Sequence, residues 1–454
     1  MASIGPTEAT PAGIGAESLR GLAGAESPSN NRRLALSIAA VLCFEGFAMS
    51  INGIGSPWIA KSFRLGESGI AGLFAWISLS AIGSLGLSRM SDHFGRRRML
   101  LVCIAGSAGS ALAAAFATNI VAFALCGIAL FAFIRATIAG STVILAEELA
   151  IEERARGQSS AGIGLGLGIG ICLIAMPILA TRYSWRWVLV LAAGVGVVTL
   201  CWASSAISES GRWQRAAASG TTAASSFYDG FGKVYRLRTI AGLVSALLAN
   251  IAAIAASTWA YFHLVSVVGL APGTASILML IGGSLGMSGF PIGARSCERY
   301  GRIPTIVVAR LSVSLGALGF YWGPPANVAL SWLWIGVTYC SFTAGLSAEL
   351  VSGHALATEI FPTAIRGVMM GWLALIGAVA AVSAQALIAV LSARAGGLSI
   401  VVGYLSLLAI PSALIVGLFL PETRGLSLEA AALEEALESV VGPNLTPEKV
   451  TRQD

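Results

Sequence analysis

Twelve long apolar stretches, separated by short polar loops, constrain the fold of this chain more than any other feature. An α-helix rises about 1.5 Å per residue, so about 20 apolar residues are needed to cross the hydrocarbon core of a bilayer. Charged residues make up only 11% of the chain, which is about half the share in a soluble domain. The sequence therefore predicts an all-α membrane protein with twelve transmembrane helices, at 34–57, 68–90, 98–117, 119–146, 158–180, 185–206, 239–265, 273–295, 304–323, 327–351, 367–391 and 397–420.

The distribution of positive charge predicts how these helices are oriented. Of the 28 Lys and Arg residues, 21 fall in segments on one side of the predicted membrane, five in loops on the other side and two within spans. Cytoplasmic loops of membrane proteins are enriched in Lys and Arg. We therefore expect a multi-pass protein of a bacterial plasma membrane with both termini in the cytoplasm. The expected cytoplasmic segments are a disordered tail at 1–33, a central loop at 207–238 and a C-terminal tail at 421–454.

The two halves of the chain repeat each other at three landmarks. "DHFGRRR" recurs as "ERYGRI", "ERARG" recurs as "TAIRG", and "SESGRW" recurs as "PETRGL". The number of residues between the two copies of a landmark is nearly the same in all three cases, for Gly95 and Gly301, for Gly157 and Gly367, and for Glu209 and Glu422. Nearly equal separations indicate parallel repeats, which transporters use to alternate access to a site near the middle of the bilayer. They predict two parallel six-helix bundles, at 34–206 and 239–420.

Several classes of function are excluded by the same sequence. The arginines are spread over short loops, so they predict topology and not a nucleic-acid surface. The seven cysteines include no CxxC pair, and we expect neither a disulfide framework nor a bound metal. "GIGLGLGIG" at 162–170 is followed by no Lys, so it favours close helix packing over a nucleotide-binding loop. No cofactor is expected.

Three loop motifs carry a family resemblance over residues 34–430. The loop after the second predicted helix is similar to the pattern Gly-x-x-x-Asp-Arg-x-Gly-Arg-Arg, which it matches at Asp92, Gly95, Arg96 and Arg97. Ser88 replaces the first Gly of the pattern, and His93 replaces its first Arg. "TEIFPTAIRGVMMGW" at 358–372 is similar to Glu-x-x-Pro-x-x-x-Arg-Gly, and "LPETRGLSLEA" at 420–430 is similar to Pro-Glu-Thr-Lys-Gly. Together these motifs resemble the major facilitator superfamily, and the last two resemble its sugar-porter and organic-acid branches. The resemblance implies that superfamily's fold and secondary active transport.

The branch is indicated by the first predicted helix. "EGFAMSINGIGSP" at 45–57 resembles the Asp-Gly-Tyr-Asp…Gly…Pro pattern of aromatic-acid/proton symporters. The Gln-rich patch and the Gly-Pro-x-x-Trp element of sugar porters are absent, and so is the Gly-Pro-x-x-Gly-Gly element of drug antiporters. These features favour a proton-coupled symporter that imports a small organic acid, with aromatic acids among the candidates. A sugar or polyol porter, a proton-driven efflux antiporter and a transport-dead membrane sensor stay open as alternatives.

Glu45 and Arg135 are the candidate proton-coupling and substrate residues. Glu45 follows Arg33 by about three and a half helical turns, and Arg135 precedes Glu148 by about the same, so both fall near the bilayer centre. A lone charge at that depth costs at least ~2.5–3.5 kcal/mol. We expect the two side chains to form an ion pair or to share a cavity, and the resemblance implies such a pairing between helices 1 and 4.

The remaining candidates lie in the second half and in the cytoplasmic loops. Glu349 is a second proton-coupling candidate, with a contact in the cytoplasmic gate as the alternative, whereas Arg310 is expected to snorkel to the inner surface. Asn250, Tyr261 and Tyr339 are expected to line a cavity. A cytoplasmic gate is expected in which Asp92 faces the N-terminus of helix 11. Its residues are Asp92, Gly95, Arg96, Arg97, Glu148, Glu298, Arg299, Gly301, Arg302, Glu359, Arg366 and Gly367. The expected partners are a small-molecule substrate, protons and the lipid bilayer, and we expect the chain to function as a monomer.

Overall fold

The computed structural model describes residues 28–149, 151–209, 231, 235–323, 331–361 and 363–424. Twelve helical elements follow one another through these residues, and three of them consist of two segments joined at a kink. They are α1 (Pro28–Ser62), α2 (Glu67–Ser78 and Ser80–Phe94), α3 (Arg96–Ala115), α4 (Ile120–Glu148), α5 (Ile151–Arg182), α6 (Arg186–Ala206), α7 (Arg236–Phe262), α8 (Pro272–Gly286 and Gly289–Tyr300), α9 (Arg302–Tyr321), α10 (Ser331–Glu359), α11 (Thr363–Leu391) and α12 (Leu398–Ser406 and Ala409–Phe419).

Within the described part of the chain, eleven of these elements are long and apolar enough to cross a membrane. The element that falls short is α10, which has 29 residues but carries Glu349, His354 and Glu359 together with several hydroxyl side chains. Its length is sufficient for a span. The expected all-α membrane fold with twelve helices is confirmed.

Equivalent helix pairs recur in the two halves of the structure. In the first half α1 packs against α5 and α6, and α3 packs against α4 and α6. In the second half α7 packs against α11 and α12, and α9 packs against α10 and α12. We call α1–α6 the N-bundle and α7–α12 the C-bundle. The bundles meet through α2 with α11, α5 with α8, and α1 with α7.

Some helix boundaries differ from those expected. Helix α1 begins at Pro28, so 28–33 are not part of a disordered tail. The extension is held because Asn31 Nδ2 donates a hydrogen bond of 2.7 Å to Glu153 of α5. Helix α10 continues to Glu359 instead of ending at 351. Residues 1–27, most of the expected central loop and residues 425–454 lie outside the described residues.

The two ends of the bundles are distinguished by different residues. Helices α3 and α9 each begin directly after a glycine, and Gly95 and Gly301 have φ values of 103° and 106°. A side chain disfavours such positive φ values, so glycine is the suitable residue at both positions. We call the end that holds these glycines, together with Glu209 and Glu422, the motif end. The opposite end, which holds Glu67 and Leu398, is the far end.

The glycine run at 162–170 makes α5 thin on two sides. A Cβ atom on Gly164 or Gly168 would overlap the backbone of α1. A Cβ atom on Gly166 or Gly170 would instead reach α8 of the C-bundle, at 3.6 Å from Met287 Cε and 3.4 Å from Leu280 Cδ1. The expected packing role of this run is therefore confirmed, and it serves contacts within the N-bundle as well as between bundles.

Candidate functional site

Glu45 lies in the middle of α1 and is completely buried in the N-bundle. Its Oε1 atom accepts a hydrogen bond of 3.0 Å from Ser107 Oγ of α3. Its Oε2 atom is buried without a hydrogen-bond partner. Ser107 Oγ also lies 3.0 Å from the carbonyl oxygen of Cys103. Since a hydroxyl has one proton, Ser107 can donate to the carboxyl group or to that carbonyl, but not to both at once.

Arg135 of α4 is half-buried, and its Nε atom is buried without a hydrogen-bond partner among the described residues. No ion pair within 4.0 Å joins Arg135 to Glu45 in that part of the chain. The expected direct pairing is therefore not formed in this conformation, because Ser107 of α3 receives the Glu45 carboxyl group instead. Both residues remain near the middle of their helices.

Arg310 and Glu349 form a polar cluster inside the C-bundle. Arg310 is 6% exposed, and its Nε donates a hydrogen bond of 2.8 Å to Glu349 Oε1. Its Nη1 donates to Ser245 Oγ, to Ser412 Oγ at 2.7 Å and to the Ser412 carbonyl oxygen at 3.1 Å. The expectation that Arg310 snorkels was wrong, because partners on α7, α10 and α12 satisfy the guanidinium within the bundle.

A cavity of about 430 Å³ lies beside this cluster. Its lining comes from α7, α9, α10, α11 and α12, and extends to Phe361 and Leu420 near the motif end. Asn250, Glu349 and His354 contribute polar groups to a wall that is otherwise largely apolar. All the residues that line it belong to the C-bundle, so this cavity does not test the expectation of a site between the bundles. Asn250 lines it as expected.

Tyr261 and Tyr339 do not line this cavity. The Tyr261 hydroxyl donates a hydrogen bond of 3.0 Å to the Pro272 carbonyl oxygen near the far end. Its ring stacks on Trp58 of α1 at 6.0 Å between centroids. Tyr339 is buried among Phe320 and Phe342, with centroids 5.5 and 5.1 Å away. Both rings are thus taken up by aromatic packing outside this cavity, and a role for the two tyrosines in lining a cavity stays a prediction.

At the motif end, one carboxylate in each bundle caps the N-terminus of a helix. Glu209 Oε1 accepts a hydrogen bond of 2.9 Å from Arg97 N at the start of α3. Glu422 accepts bonds of 2.8 and 2.9 Å from the N–H groups of Arg302 and Ile303 at the start of α9. A carboxylate is favoured at this position by the free amides and the helix dipole. The two caps are equivalent under the repeat.

Ion pairs at the motif end also repeat between the bundles. Arg96 Nη2 lies 3.2 Å from Glu147 Oε1, and Arg302 binds Glu359 through two bonds of 3.0 and 2.8 Å. Arg97 instead donates bonds of 2.7 and 2.6 Å to the carbonyl oxygens of Ile207 and Ser204 at the end of α6. Each of these contacts lies within one bundle.

The described contacts add to the expected gate and correct it in part. Arg96 binds Glu147, the neighbour of the expected gate residue Glu148, and Glu148 also has a contact of its own. Glu298 and Arg299 are exposed and enter no ion pair among the described residues, and Arg299 only lies over the ring of Tyr300. They project from the end of α8 and so lie outside the network around Arg302. Asp92, Arg366 and Gly367 fall outside the residues whose surroundings the structure describes.

The far end is where the described residues connect the two bundles by hydrogen bonds. Glu67 at the start of α2 accepts a hydrogen bond from Leu398 N at the start of α12. Ser68 Oγ donates to the Ala389 carbonyl oxygen of α11. Phe74 of α2 also packs against Trp259 of α7, with 5.2 Å between ring centroids. The far end is therefore closed, whereas the C-bundle cavity extends toward the motif end.

Comparison with known proteins identifies the family. The profile of the Major Facilitator Superfamily matches residues 38–348. The chain belongs to this superfamily of transporters. Among curated proteins no match is found. The fold is similar to that of many solved structures.

Three of these solved structures show the extent of the likeness. The inward-open xylose transporter XylE from E. coli aligns with a TM-score of 0.70 and 17% identity, over 89% of this chain and 98% of that one. A D-xylose-proton symporter aligns at 0.67 and 18%, over 87% and 98%. A bacterial homolog of the human lysosomal transporter Spinster, inward-facing and unoccupied, aligns at 0.65 and 14%, over 90% and 99%. At these identities the likeness shows the fold alone.

Several residues of the site were not found from the sequence. Ser107, Ser245 and Ser412 are small hydroxyl residues in apolar helices, and nothing in their local sequence marks them as ligands of a charged group. Glu209 and Glu422 did carry a signal, because their separation in sequence is nearly that of Gly95 and Gly301. That coincidence could have predicted the two helix caps.

Proposed function

We propose that this transporter is a proton-coupled symporter that imports a small organic acid across a bacterial plasma membrane, with both termini in the cytoplasm. The observation that carries the proposal is the state of Arg135, whose Nε is buried on α4 without a hydrogen-bond partner among the described residues. A buried cationic donor without a partner is costly. A substrate carboxylate would satisfy it, since guanidinium and carboxylate groups match in a two-bond geometry.

Glu45 is the proposed proton carrier. It is completely buried, one of its oxygens has no partner, and no cation among the described residues lies within 4.0 Å. A negative charge in that place would be uncompensated, so we infer that Glu45 holds a proton in this conformation. Movement that brings a cation or water to the carboxyl group would release the proton. Ser107 then changes its role, because its hydroxyl turns from the Cys103 carbonyl oxygen to the carboxylate.

The conformation fits the inward-facing state of an alternating-access cycle. The far end is closed by Glu67 with Leu398 and by Ser68 with Ala389, and the cavity extends toward the motif end. Orientation from the positive-inside rule places the motif end in the cytoplasm. We propose that Asp92 meets the N-terminus of α11 near Arg366 and Gly367 only when the motif end closes. The paired caps and ion pairs then keep each bundle rigid while the bundles rock.

The test is uptake into proteoliposomes under an imposed pH gradient, with a panel of radiolabelled carboxylates and sugars. Glu45→Gln mimics the protonated state, so it should abolish uphill uptake and retain exchange of bound substrate. Arg135→Gln should lose binding of the carboxylate. Arg299→Gln is the matched control, because Arg299 is exposed and makes no ion pair in the described residues. Concentrative uptake by Glu45→Gln at the parental level would mean that this carboxyl group is structural.

The proteins with similar structures favour a second candidate substrate. Two of them are described as a xylose transporter and a D-xylose-proton symporter. Uptake of xylose driven by the pH gradient, with no response to any carboxylate in the panel, would select the sugar or polyol porter instead. Loss of preloaded substrate driven by an inward proton gradient would select efflux, and no transport of any substrate by a folded protein would select a sensor.

A further inference from the structure

Two hydrogen-bond acceptors face the C-bundle cavity without an internal donor. Asn250 Nδ2 donates a bond of 2.8 Å to the Ala246 carbonyl oxygen, so the carbonyl oxygen of the Asn250 side chain remains available. Glu349 uses Oε1 for Arg310, and the described residues supply no donor to its Oε2. The Glu349 side chain is 18% exposed, and both residues line the cavity. These two residues therefore offer acceptors, on a wall to which Arg310 and His354 also contribute.

The charge of Glu349 is balanced within the wall. Arg310 lies directly behind it, and the serines of α7 and α12 hold the guanidinium in place. A cation entering the cavity would meet a neutral pair, so it gains little attraction. An anion would meet the unpaired Glu349 oxygen, and the Nε and Nη1 donors of Arg310 are already used, which leaves only its Nη2 group. Hydroxyl groups carry no charge and can both donate and accept hydrogen bonds, so they fit this wall better than either ion.

The shape of the cavity allows a small ligand to reach these acceptors. Ala246, Ala249 and Ala253 form the α7 face next to Asn250, and Gly353 and Gly377 belong to the opposite helices. A volume of about 430 Å³ lies in the lower part of the range for small-molecule pockets, about 300–1,000 Å³. Leu346, Leu350 and Met370 supply apolar surface for a carbon skeleton.

We propose that this cavity binds hydroxyl groups of the transported molecule, with Asn250 Oδ1 and Glu349 Oε2 as the acceptors. The inference rests on the proposed function and narrows the substrate class to hydroxylated carboxylates. Under the proposed function Arg135 of the N-bundle binds the carboxylate. Arg135 is not among the residues that line this cavity, and the C-bundle is proposed to bind the hydroxylated part. In this role Glu349 is a binding residue and Glu45 alone carries the proton.

The experiment measures binding by calorimetry in detergent, so it does not depend on transport. The probes are gluconate and hexanoate, which are six-carbon carboxylates with and without hydroxyl groups, and xylitol, which has hydroxyl groups only. The parent protein should prefer gluconate to hexanoate by about tenfold or more, since hydrogen bonds to a charged acceptor are the stronger ones. Asn250→Leu should reduce that preference at least about fivefold without touching the ion pair.

Replacing Glu349 alone would leave the buried Arg310 without its ion-pair partner and so endanger folding, and the second variant therefore replaces both residues. The double variant Arg310→Met with Glu349→Met removes the buried pair while keeping the volume, and it should lose the hydroxyl preference in the same way. Tyr339→Phe lies outside the cavity and should keep it. An unchanged preference in both cavity variants, or equal affinity for gluconate and hexanoate in the parent, would overturn the inference and leave the proposed carboxylate substrate intact. Tight binding of xylitol that depends on Asn250, without binding of gluconate, would support the cavity site and overturn the carboxylate proposal.

Discussion

Replacing Gly168 with alanine is expected to force α1 away from α5. A Cβ atom at this position would lie 2.6 Å from Phe47 N and 2.9 Å from the Cys43 carbonyl carbon. Ordinary contacts of a Cβ atom begin near 3.4 Å, so both separations are far too short. Both atoms belong to the backbone of α1, and a backbone cannot yield as the end of a flexible side chain does.

The magnitude follows from two opposing effects. Overpacking of a tight interface costs ~1–3 kcal/mol, whereas exchanging glycine for alanine inside a helix contributes up to ~1 kcal/mol of stability. Because the clashes are with backbone atoms, we take the upper half of the overpacking range, about 2–3 kcal/mol, and subtracting about 1 kcal/mol leaves a net loss of about 1–2 kcal/mol. The matched control is Gly162→Ala, which makes the same exchange in the same helix with no heavy atom within 4 Å.

The assay is thermal unfolding of purified protein in detergent, followed by the fluorescence of the 11 tryptophans. Gly168→Ala should unfold at a lower temperature than the parent, and Gly162→Ala should unfold at the same or a higher temperature. Equal midpoints for the two alanine variants would refute the reasoning, because they would show that α1 and α5 have room for a methyl group at Gly168.

Two further predictions concern the ends of the bundles. Glu67→Gln weakens the contact with Leu398 N between the bundles, so it should increase labelling of a cysteine introduced at Ala389 by a membrane-impermeant reagent in a cysteine-free background. Unchanged labelling would mean that the aromatic contacts alone close the far end. Arg302→Ala removes both bonds to Glu359 and should lower the unfolding midpoint by an amount equivalent to about 1.5–3 kcal/mol. Arg299→Ala, at an exposed position, should change it little, and equal effects of the two variants would contradict the role of the pair.

The fold could be predicted from the sequence because its main determinants are local. Whether a segment crosses the bilayer depends on the hydropathy of about 20 consecutive residues, and all twelve expected spans correspond to helical elements. The repeat of Gly95 at Gly301 is local as well, since it reflects a positive φ value before a helix. Boundaries were less predictable, because Pro28 and Glu359 belong to helices that continue beyond the apolar stretch.

The candidate site was harder to predict because it depends on contacts between helices. The depth of a residue along a helix can be predicted by counting residues, and this count correctly placed Glu45 and Arg135 near the middle of their helices. Rotation about the helix axis is set by packing, and it directs Glu45 toward Ser107 of α3. The same limitation applies to Arg310, which finds Ser245 and Ser412 on helices that are remote in the sequence.

A motif also cannot specify the conformation in which its contacts form. The expected gate would join the bundles at the motif end, whereas the described pairs of Arg96 and Arg302 stay within their own bundles. A transporter sequence has to stabilise at least two arrangements of the same helices. Contacts that close one side are therefore absent when that side is open, although the residues that make them are present in the sequence.

The cap at the start of α9 gives a prediction about pH. Partial burial raises the pKa of Glu422, but hydrogen bonds from the N–H groups of Arg302, Ile303, Arg424 and Thr423 outweigh this effect and hold the pKa below its usual range. A carboxyl group whose pKa is lowered by folding stabilises the folded state above its unfolded pKa. That contribution is lost as the pH falls through the folded value.

The unfolding midpoint of the parent should therefore fall on acidification from neutral pH through the ordinary range of a glutamate. Glu422→Gln cannot titrate, so its midpoint should start lower at neutral pH and fall less between the same two pH values. Glu298→Gln is the matched control, because Glu298 is exposed at the same end of the C-bundle and makes no described ion pair; it should follow the parent. Parallel midpoint curves for the parent and Glu422→Gln would mean that other carboxyl groups account for the acid sensitivity. In that case the four backbone bonds would stabilise the charged form no better than water does, and the cap would only position α9.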